Sequence, residues 1–574
     1  MEKHWAKFLP ESVLGRRLEN TYRNLFLRQD PAALAAAYCG THDLSFAEPE
    51  FAGKYLDICA AYHRNRGDGA PMENAARVVE GILQGQREDG YLGGYAPGNE
   101  YASFSVWNQA FTCFGLIAYW DACRDERALH AAMRCMDGIA QGFMRPDGPM
   151  LLRSGNGGSQ HLVVLLPAAQ LYARTGEERY LRFCRYILDT CEASPKHNML
   201  SNPSVLGFGS QKGIETLAFL LGMVEYGKVA HDARCIAAAQ AFWQDLQEHH
   251  VGVTGCGDIA EVWTLNRNRA AMLPRDLLTN ENCVAVGWME LSLALYADAL
   301  DGRYYDAFER ALYNHLFGSQ APDGSDFAYY QGNYGQKAVA TEPTRYSCCR
   351  FRGLTMMAHL PECAVFAKAG TLALPLYASF EQVAMVDDVP VRIRMRTEYP
   401  RNGEIALEVF PQTSHAMTLL LRIPAWCEHF SLLRDGKEQC VPVQNGHAVL
   451  EGVFPPEGTR IALTLDMPVR RHREMVDDMP CIALEYGPLL LAIDSRYGTP
   501  IFSTTVDGDA AQKRLSLPRE DSMPMVAFQT SGTVRGQKQD IRLVDYASAG
   551  MTNPAQDRFR VWIPETGADM RGIF

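Results

Sequence analysis

The stretch VAVGWMELSLALYADAL at 284–300, followed by Asp301-Gly302 and RYYDAFERALYNHLFG at 303–318, decides the fold class. Apolar residues recur in both halves at spacings of three and four, which is typical of amphipathic or buried helices. The short Asp-Gly break favours two antiparallel helices packed side by side. This stretch therefore predicts one helical hairpin.

The same plan recurs along the first two thirds of the chain. Further hairpins, some of them looser, are predicted at 54–86, 107–143, 161–191 and 213–250. With a partial pair at 11–30 and a last helix near 353–369, the count approaches six pairs. Six pairs predict a closed (α/α)6 toroid, and an open α-solenoid is the alternative. We favour closure because the connections between hairpins are long and no repeat period is strict.

These connections differ in composition from the short breaks inside each hairpin. They are rich in Gly, Asn, Ser and Pro, and they occupy 91–104, 144–160, 192–212, 251–280 and 318–350. In a stack of hairpins the long connections share one face. Because long loops on a rigid scaffold commonly carry function, we expect the functional site on that face.

Near residue 370 the pattern changes to short strands separated by turn residues, at the spacing of a β-sandwich. In VRIRMRT at 391–397, alternation places Val391, Ile393 and Met395 on one face, as in a half-buried antiparallel strand. The sequence therefore predicts three domains. They are an (α/α)6 catalytic domain at 1–370, a β-sandwich at 371–474 and a second β-rich domain at 475–574.

Composition and charge limit the partners of this 574-residue chain. A net charge of −12 argues against nucleic acid, which requires a basic surface. The sequence contains no run of about 18 apolar residues, so we expect no membrane span. It also has no apolar segment near the N-terminus, so we expect no secretory signal. Sixteen cysteines without an export signal predict reduced thiols in the cytoplasm. An exposed face of the sandwich could mediate a homodimer.

Two cysteine-containing motifs stand out. Cys348-Cys349 lies in RYSCCRFRG, in a long loop just before the last predicted helix, and Glu281-Asn282-Cys283 directly precedes another helix. Separately, each has a plain interpretation: incidental cysteines, or an acidic residue at a helix start. Together, Glu281, Cys283, Cys348 and Cys349 form an oxygen-and-three-sulfur set that suits tetrahedral zinc.

Glu261, in VTGCGDIAEVWTL at 253–265, is the candidate for proton transfer. Beside Trp263 and other apolar residues, its carboxyl group could have a raised pKa and act as a general acid. Asp258, in the same connection, is the competing candidate. Acidic loop residues are usually only solvated, so this interpretation depends on the cysteine site.

These motifs, with several others, resemble the retaining β-L-arabinofuranosidases of glycoside hydrolase family 127. The similar stretches in the helical region are GQREDGYLGGY at 85–95, LYARTGEERYL at 171–181, ENCVAVG at 281–287 and SCCR at 347–350. In the β region they are TEYPRNGEIALEV at 397–409, LRIPAWC at 421–427 and LEYGPLLLAI at 484–493. The resemblance spans nearly the whole chain and is weakest over the last hundred residues.

The resemblance implies an (α/α)6 barrel followed by β-sandwich domains, and a zinc ion held by Glu281, Cys283, Cys348 and Cys349. It further implies that the thiolate of Cys348 attacks the anomeric carbon while Glu261 protonates the leaving oxygen. Glu261 then activates the water that hydrolyses the thioglycosyl intermediate with retention.

Departures from the family pattern bear on the substrate, a small oligosaccharide or glycoside. The family's Gly-His is replaced in the segment 105–109, which includes Trp107 and Asn108, whereas Gln160-His161 fits another family histidine. The prolines usual after the paired cysteines become Arg350-Phe351-Arg352. We therefore predict His161, Trp107, Asn108 and Arg350 as substrate-binding residues. Because an arginine could bind a carboxylate, we predict an acidic or otherwise modified sugar.

Three alternatives stay open. The first is a metal-free inverting hydrolase or lyase acting on uronic acids, in which Asp89 or Asp258 pairs with Glu261. The second is a carbohydrate-binding relative that has lost catalysis. The third is a zinc site with a purely structural role, which would appear as loss of folding when its ligands are mutated.

Overall fold

The computed structural model describes residues 6–264, 278–337, 347–476, 479–517, 524–551 and 556–568. Parts of the predicted connections 251–280 and 318–350, and the end of the predicted C-terminal domain, lie outside the described residues. Within the described ranges, no helix is both long and apolar enough to cross a lipid bilayer.

The helices occupy the first two thirds of the chain. They are α1 (Val13–Asn24), α2 (Pro31–Ala36), α3 (Pro49–Arg66), α4 (Ala70–Gly85), α5 (Ser105–Cys123), α6 (Glu126–Met144), α7 (Leu165–Thr175), α8 (Glu178–Glu192), α9 (Gly213–Val229), α10 (Ala233–His249), α11 (Asn282–Ala299), α12 (Gly302–Arg310), α13 (Phe317–Ser319) and α14 (Cys348–His359). A π-helical turn, Ala311–Leu316, connects α12 to α13, and a short 3-10 helix, Gln160–Val164, leads into α7.

Contacts between helices close the toroid. Helices α3, α5, α7, α9, α11 and α14 contact one another in that order, and α14 then contacts α3. On the outside, α4, α6, α8, α10 and α12 each pack against the inner helix that precedes them, and α1 packs against α14. Inner helices such as α9 and α11 are apolar around most of their circumference because both sides are covered. The closed (α/α)6 architecture is therefore confirmed, and the open solenoid is excluded.

The short breaks inside the hairpins have a consistent chemistry. In the stretch around Asp301, α11 ends on Leu300 in the left-handed region, and the Asp301 carboxylate then accepts a hydrogen bond from the backbone N–H of Arg303. Such a cap satisfies one of the free N–H groups at the start of α12. Gly67 and Gly176 end α3 and α7 in the same left-handed conformation. Each hairpin thus turns within a few residues.

The strands, apart from four short ones, follow the helical region. They are β1 (Lys7–Phe8), β2 (Asp258–Ile259), β3 (Val262–Trp263), β4 (Tyr334–Gly335), β5 (Phe366–Lys368), β6 (Thr371–Leu374), β7 (Phe380–Val386), β8 (Val389–Thr397), β9 (Glu404–Pro411), β10 (His415–Arg422), β11 (Phe430–Arg434), β12 (Lys437–Glu438), β13 (Val443–Gln444), β14 (His447–Phe454), β15 (Thr459–Leu465), β16 (Val469–Val476), β17 (Met479–Tyr486), β18 (Leu489–Asp494), β19 (Thr504–Val506), β20 (Lys513–Arg514), β21 (Ala527–Val534), β22 (Gln537–Asp545), β23 (Phe559–Arg560) and β24 (Ile563–Pro564).

Two sheets follow the helical region directly. One has the strand order β1-β7-β8-β9-β15-β11-β12, and the other has the order β13-β14-β10-β6-β5. As predicted from the alternation in β8, Val391, Ile393 and Met395 are all buried. The β-rich region after the toroid is thus confirmed. The domain boundaries at 370 and 474 stay predictions, and strand β16 of the next sheet begins at Val469.

The third sheet supports the helical domain. Its main path is β16-β17-β18-β22-β21-β19, and β4 joins it by pairing with β23. In that pairing Tyr334 lies opposite Arg560. Because β4 belongs to the long connection between α13 and α14, the C-terminal sheet holds part of the loop face of the toroid in place.

A buried ion network joins the toroid to the five-stranded sheet. Arg422, at the end of β10, has a fully buried side chain that pairs with Asp306 and Glu309 of α12. The Tyr399 hydroxyl donates a further hydrogen bond of 2.7 Å to Glu309. The two elements are therefore linked by a buried arginine, a buried glutamate and the partly buried Asp306.

We expect Arg422→Ala to lower the free energy of unfolding by about 3–5 kcal/mol, because it leaves the buried carboxylate of Glu309 and the partly buried carboxylate of Asp306 without their cation. The measurement is urea denaturation followed by circular dichroism. Arg460→Ala is the control, because the Arg460 side chain is 84% exposed and its loss should cost less than about 0.5 kcal/mol. Equal stability of the two variants would show that the network contributes nothing to docking of the sheet.

Candidate active site

The structure brings together the four side chains that the sequence predicts as metal ligands. The ligand atoms of Glu281, Cys283, Cys348 and Cys349 all lie within 4.8 Å of one another. The Cys349 sulfur is 3.3 Å from that of Cys283, 4.0 Å from that of Cys348 and 3.6 Å from Oε1 of Glu281. One oxygen and three sulfurs therefore converge on one point, and this cluster fits a metal cofactor.

The local structure of the cysteine motifs differs from the prediction. Cys348 and Cys349 do not lie in a loop: they are the first two residues of α14, because Ser347 is extended and nothing after it breaks the helix. The last helix thus begins earlier than the predicted 353. Glu281, also extended, precedes α11, and Cys283 lies in the first turn of that helix. Two helix N-termini therefore face the cluster, which favours anionic ligands.

The three thiols differ in exposure and in pKa. Cys348 is half-buried, whereas Cys283 and Cys349 are buried. Hydrogen bonds from the thiols of Cys283 and Cys349 lower the pKa of Cys348 well below its ordinary value, and the charge of Lys54 lowers it further. Burial raises the pKa of Cys283, Cys349 and Glu281. Of the three thiols in the cluster, Cys348 is therefore the most exposed and the one with a lowered pKa.

Glu261 is presented at the tip of a tight hairpin between β2 and β3. Ala260 and Glu261 form its two-residue turn, and both have positive φ angles, 49° and 67°. Turns of this kind usually contain Asn or Gly, and strained non-glycine residues are often found at functional sites. The Glu261 carboxylate accepts hydrogen bonds from Tyr329 and Tyr330 of 2.8 and 2.7 Å. It also forms an ion pair with Lys212.

Tyr329 connects Glu261 to the cysteine cluster. Its hydroxyl lies 2.8 Å from Oε1 of Glu261. Besides the two neighbouring thiols, a hydrogen bond from Tyr329 also lowers the pKa of Cys348. The Tyr329 hydroxyl thus hydrogen-bonds Glu261 and lies close enough to Cys348 to influence its pKa. Retaining glycosidases hold the nucleophile and the acid/base about 5–5.5 Å apart, and one intervening hydroxyl is compatible with a separation of that order.

Asp258 hydrogen-bonds two separate parts of the site. Its buried carboxylate accepts hydrogen bonds from the backbone N–H of Glu281 at 2.9 Å, from that of Glu261 at 3.2 Å and from the Cys256 thiol at 3.2 Å. Burial raises its pKa to about 6. Asp258 therefore ties the hairpin of Glu261 to the start of α11. Asp89, the other carboxylate of the inverting alternative, is 58% exposed and pairs with Arg87, so neither stands out as a catalytic partner of Glu261.

A buried ion pair that the sequence analysis missed lies beside the cluster. Nζ of Lys54 is 3.1 Å from Oε1 of Glu50, and both residues are buried in α3. Trp107 of α5, predicted to bind substrate, donates its indole N–H to Glu50. The charge of Lys54 acts on Cys348. Two opposite charges four residues apart near the start of a largely buried inner helix were the available sequence signal.

The other predicted substrate-binding residues occupy different surroundings. Asn108 is fully buried; its amide group donates to the Phe46 carbonyl, while its Oδ1 has no partner in the described ranges. Nδ1 of His161 lies 3.2 Å from the Leu151 carbonyl, and burial lowers the pKa of this histidine to about 4. His161 is therefore neutral at neutral pH. A substrate-binding role for the two residues stays a prediction.

Both arginines that follow the paired cysteines already bind carboxylates. Arg350 makes two hydrogen bonds, of 2.7 and 2.6 Å, to Asp326. Arg352 pairs with Glu290. Since a carboxylated sugar would have to compete with these acidic side chains, the contacts do not favour the predicted acidic substrate.

The sequence profile of the β-L-arabinofuranosidase GH127 catalytic domain matches residues 5–362 of this chain. The chain belongs to glycoside hydrolase family 127. It is a glycoside hydrolase, and the resemblance seen in the sequence is confirmed. The profile of the GH127 middle domain matches residues 371–467, which cover most of the two sheets that follow the toroid.

Individual family 127 proteins are similar over most of the chain. A non-reducing end β-L-arabinofuranosidase from Bifidobacterium longum subsp. longum is 22% identical over 476 residues, 72% of this chain and 70% of the relative. The structure of a GH127 β-L-arabinofuranosidase from Geobacillus stearothermophilus T6 has a TM-score of 0.82 at 18% identity, covering 98% of this chain and 100% of the other. A second GH127 β-arabinofuranosidase structure has the same TM-score and identity, and coverages of 98% and 96%. The two structures establish the fold.

Proposed function

We propose that this family 127 enzyme removes a non-reducing terminal β-L-arabinofuranose with retention, using Cys348 as the nucleophile and Glu261 as the acid/base. The observation that carries the proposal is the placement of Tyr329, which donates a hydrogen bond to Glu261 and lies close enough to Cys348 to lower the pKa of that thiol. This placement supports Cys348 as the nucleophile and Glu261 as the proton donor, on either side of the Tyr329 hydroxyl. The names of the similar β-L-arabinofuranosidases support the choice of sugar.

We propose zinc as the cofactor, and the chemistry of the donor atoms supports this choice. Three thiolates and one carboxylate form a set that zinc accepts and that magnesium and calcium do not favour. Tetrahedral zinc with bonds of about 2.3 Å to sulfur requires sulfurs roughly 3.8 Å apart; the distances from Cys349 to the other two sulfurs, 3.3 and 4.0 Å, are close to this. When bound, zinc would keep the coordinating thiols deprotonated at neutral pH.

The residues of the chain divide the reaction into two displacements. In the first, the Cys348 sulfur attacks the anomeric carbon; a carbon–sulfur bond forms while the glycosidic bond breaks, and Glu261 gives its proton to the departing oxygen. In the second, Glu261 takes a proton from water, whose oxygen displaces the sulfur from the same carbon. Two inversions give retention. Lys212 and Tyr330 hold the Glu261 carboxylate toward the substrate.

The pairing of the nearby arginines makes an uncharged sugar the better-supported substrate. Arg350 and Arg352 each bind a carboxylate of the chain. A sugar acid would therefore have to displace Asp326 or Glu290 to gain either arginine as its partner. We accordingly place plain β-L-arabinofuranosides ahead of carboxylated sugars.

We expect the enzyme to hydrolyse an aryl β-L-arabinofuranoside and to leave the corresponding α-furanoside, pyranosides and uronides intact. The measurement is release of the aryl alcohol across such a panel, with proton NMR of the first product. The sugar should appear first as the β-anomer. Hydrolysis of a uronide alone, an inverted first product or an unsaturated product would contradict the proposal.

A further inference from the structure

Among the described residues, the buried acceptor oxygens that lie unpaired near the loop face of the toroid include one on α9 and one on α5. Oε2 of Glu215, on α9, and Oδ1 of Asn108, on α5, have no hydrogen-bond partner in the part of the chain that the structure describes. Both side chains are buried, and Glu215 is only 4% exposed. Native structures contain few buried polar atoms without a partner, so each requires an explanation. A bound hydrogen-bond donor would provide one.

Glu215 lies where a substrate would reach it. It is the third residue of α9, next to Lys212, which pairs with Glu261. Its charge acts on Glu281 of the cluster, and the charge of Glu50, from α3, acts on it in turn. Glu215 is therefore close to both sides of the site. Its other oxygen, Oε1, accepts a hydrogen bond from the Asn156 amide.

We propose that Glu215 determines substrate specificity by accepting a hydrogen bond from a ring hydroxyl of the terminal furanose. This inference rests on the proposed function. An unpaired acceptor needs a donor, and the nearby donors Lys212, Tyr329 and Tyr330 already serve Glu261. Sugar hydroxyls are uncharged donors. Asn156 fixes the rotamer of Glu215, so that Oε2 is held in one position before the substrate arrives.

The surroundings of Glu215 also suit an uncharged ligand. Burial raises the pKa of its carboxyl group to about 7. At neutral pH a neutral carboxylic acid is thus well populated, and such a group can donate as well as accept one hydrogen bond to a hydroxyl. A cationic ligand would gain less from this group than from a fully charged carboxylate.

The test uses Glu215→Leu and Glu215→Gln with an aryl β-L-arabinofuranoside and with analogues that each lack one ring hydroxyl. We expect Glu215→Leu to lower kcat/KM for the parent glycoside by about 30-fold or more, because the hydroxyl is left buried without an acceptor. For the one analogue that lacks this hydroxyl, Glu215→Leu should lower kcat/KM by less than about threefold relative to wild type. Glu215→Gln keeps an acceptor oxygen, so its kcat/KM for the parent glycoside should fall less than that of Glu215→Leu.

Glu225→Leu, a half-buried position on the same helix, is the matched control and should leave kcat/KM unchanged. Circular dichroism verifies the fold, and Glu215→Gln keeps the test valid if Glu215→Leu does not fold. One outcome would overturn this inference alone: the wild type cleaves the parent glycoside, and the Glu215 variants show either the same loss of kcat/KM on every analogue or no loss. A wild type that neither cleaves the glycoside nor binds L-arabinose in calorimetry would overturn the proposed function and this inference together.

Discussion

Replacing Cys348 by serine is expected to lower kcat/KM for an aryl β-L-arabinofuranoside by about 10⁴-fold or more, the size of effect seen when a covalent nucleophile is removed. Serine lacks a thiolate at neutral pH, and Cys348 is half-buried whereas Cys283 and Cys349 are buried, which makes it the most accessible thiol of the cluster. The measurement is steady-state hydrolysis, with the zinc content of the same samples determined by elemental analysis.

Two further cysteine variants separate the roles of the thiols. Cys283→Ser removes a buried thiol that we propose as a zinc ligand, so zinc content and activity should fall together. For Cys348→Ser, activity should stay lost after zinc has been restored to the wild-type level by titration. Cys184→Ala, on the outer helix α8, is the control and should keep the zinc content and activity of the wild type. If Cys348→Ser kept more than about a tenth of the activity but melted at a lower temperature, the metal site would be structural.

The helical part of the fold was accessible from the sequence because each hairpin is a local pattern. Spacings of three and four mark the helices, and Asp301 marks the turn because its side chain caps α12. Ring closure is different, since α14 contacts α3 from nearly three hundred residues away. Nothing local in either segment encodes that contact. The choice of a closed ring therefore depended on loop lengths and is settled by the structure.

The candidate site was accessible where chemistry is concentrated in a few residues. Adjacent cysteines and a Glu-x-Cys motif can be recognised in the sequence as potential metal ligands, so Cys348 and Glu281 were predicted as neighbours. Tyr329 and Lys54 were missed because each is an ordinary residue that acts on a group from another part of the ring, Glu261 for Tyr329 and Cys348 for Lys54. The pairing of Arg350 with Asp326 was missed for the same reason. Residues that act through partners distant in sequence cannot be recognised until the chain is folded.

Replacing Glu261 by glutamine is expected to have an effect that depends on the leaving group. For an alkyl or sugar leaving group, kcat/KM should fall by about 10²–10⁴-fold, because no proton reaches the departing oxygen. For a dinitrophenyl leaving group, which departs without a proton, the first step should proceed nearly as in wild type. The second step lacks its base, so a burst of dinitrophenol should precede slow turnover. The measurement is stopped-flow absorbance followed by steady-state rates.

Azide distinguishes proton transfer from positioning. As a nucleophile that needs no base, it should restore turnover of the Glu261→Gln enzyme and yield a β-glycosyl azide, because it displaces the sulfur from the face that water would use. Tyr330→Phe is the matched control: it removes one hydrogen bond to Glu261 but keeps the carboxylate, so azide should not accelerate it. If Glu261→Gln were equally impaired with both leaving groups and unresponsive to azide, Glu261 would only bind substrate. Glu215, a buried carboxyl group with a pKa of about 7, would then be the next candidate for the acid/base.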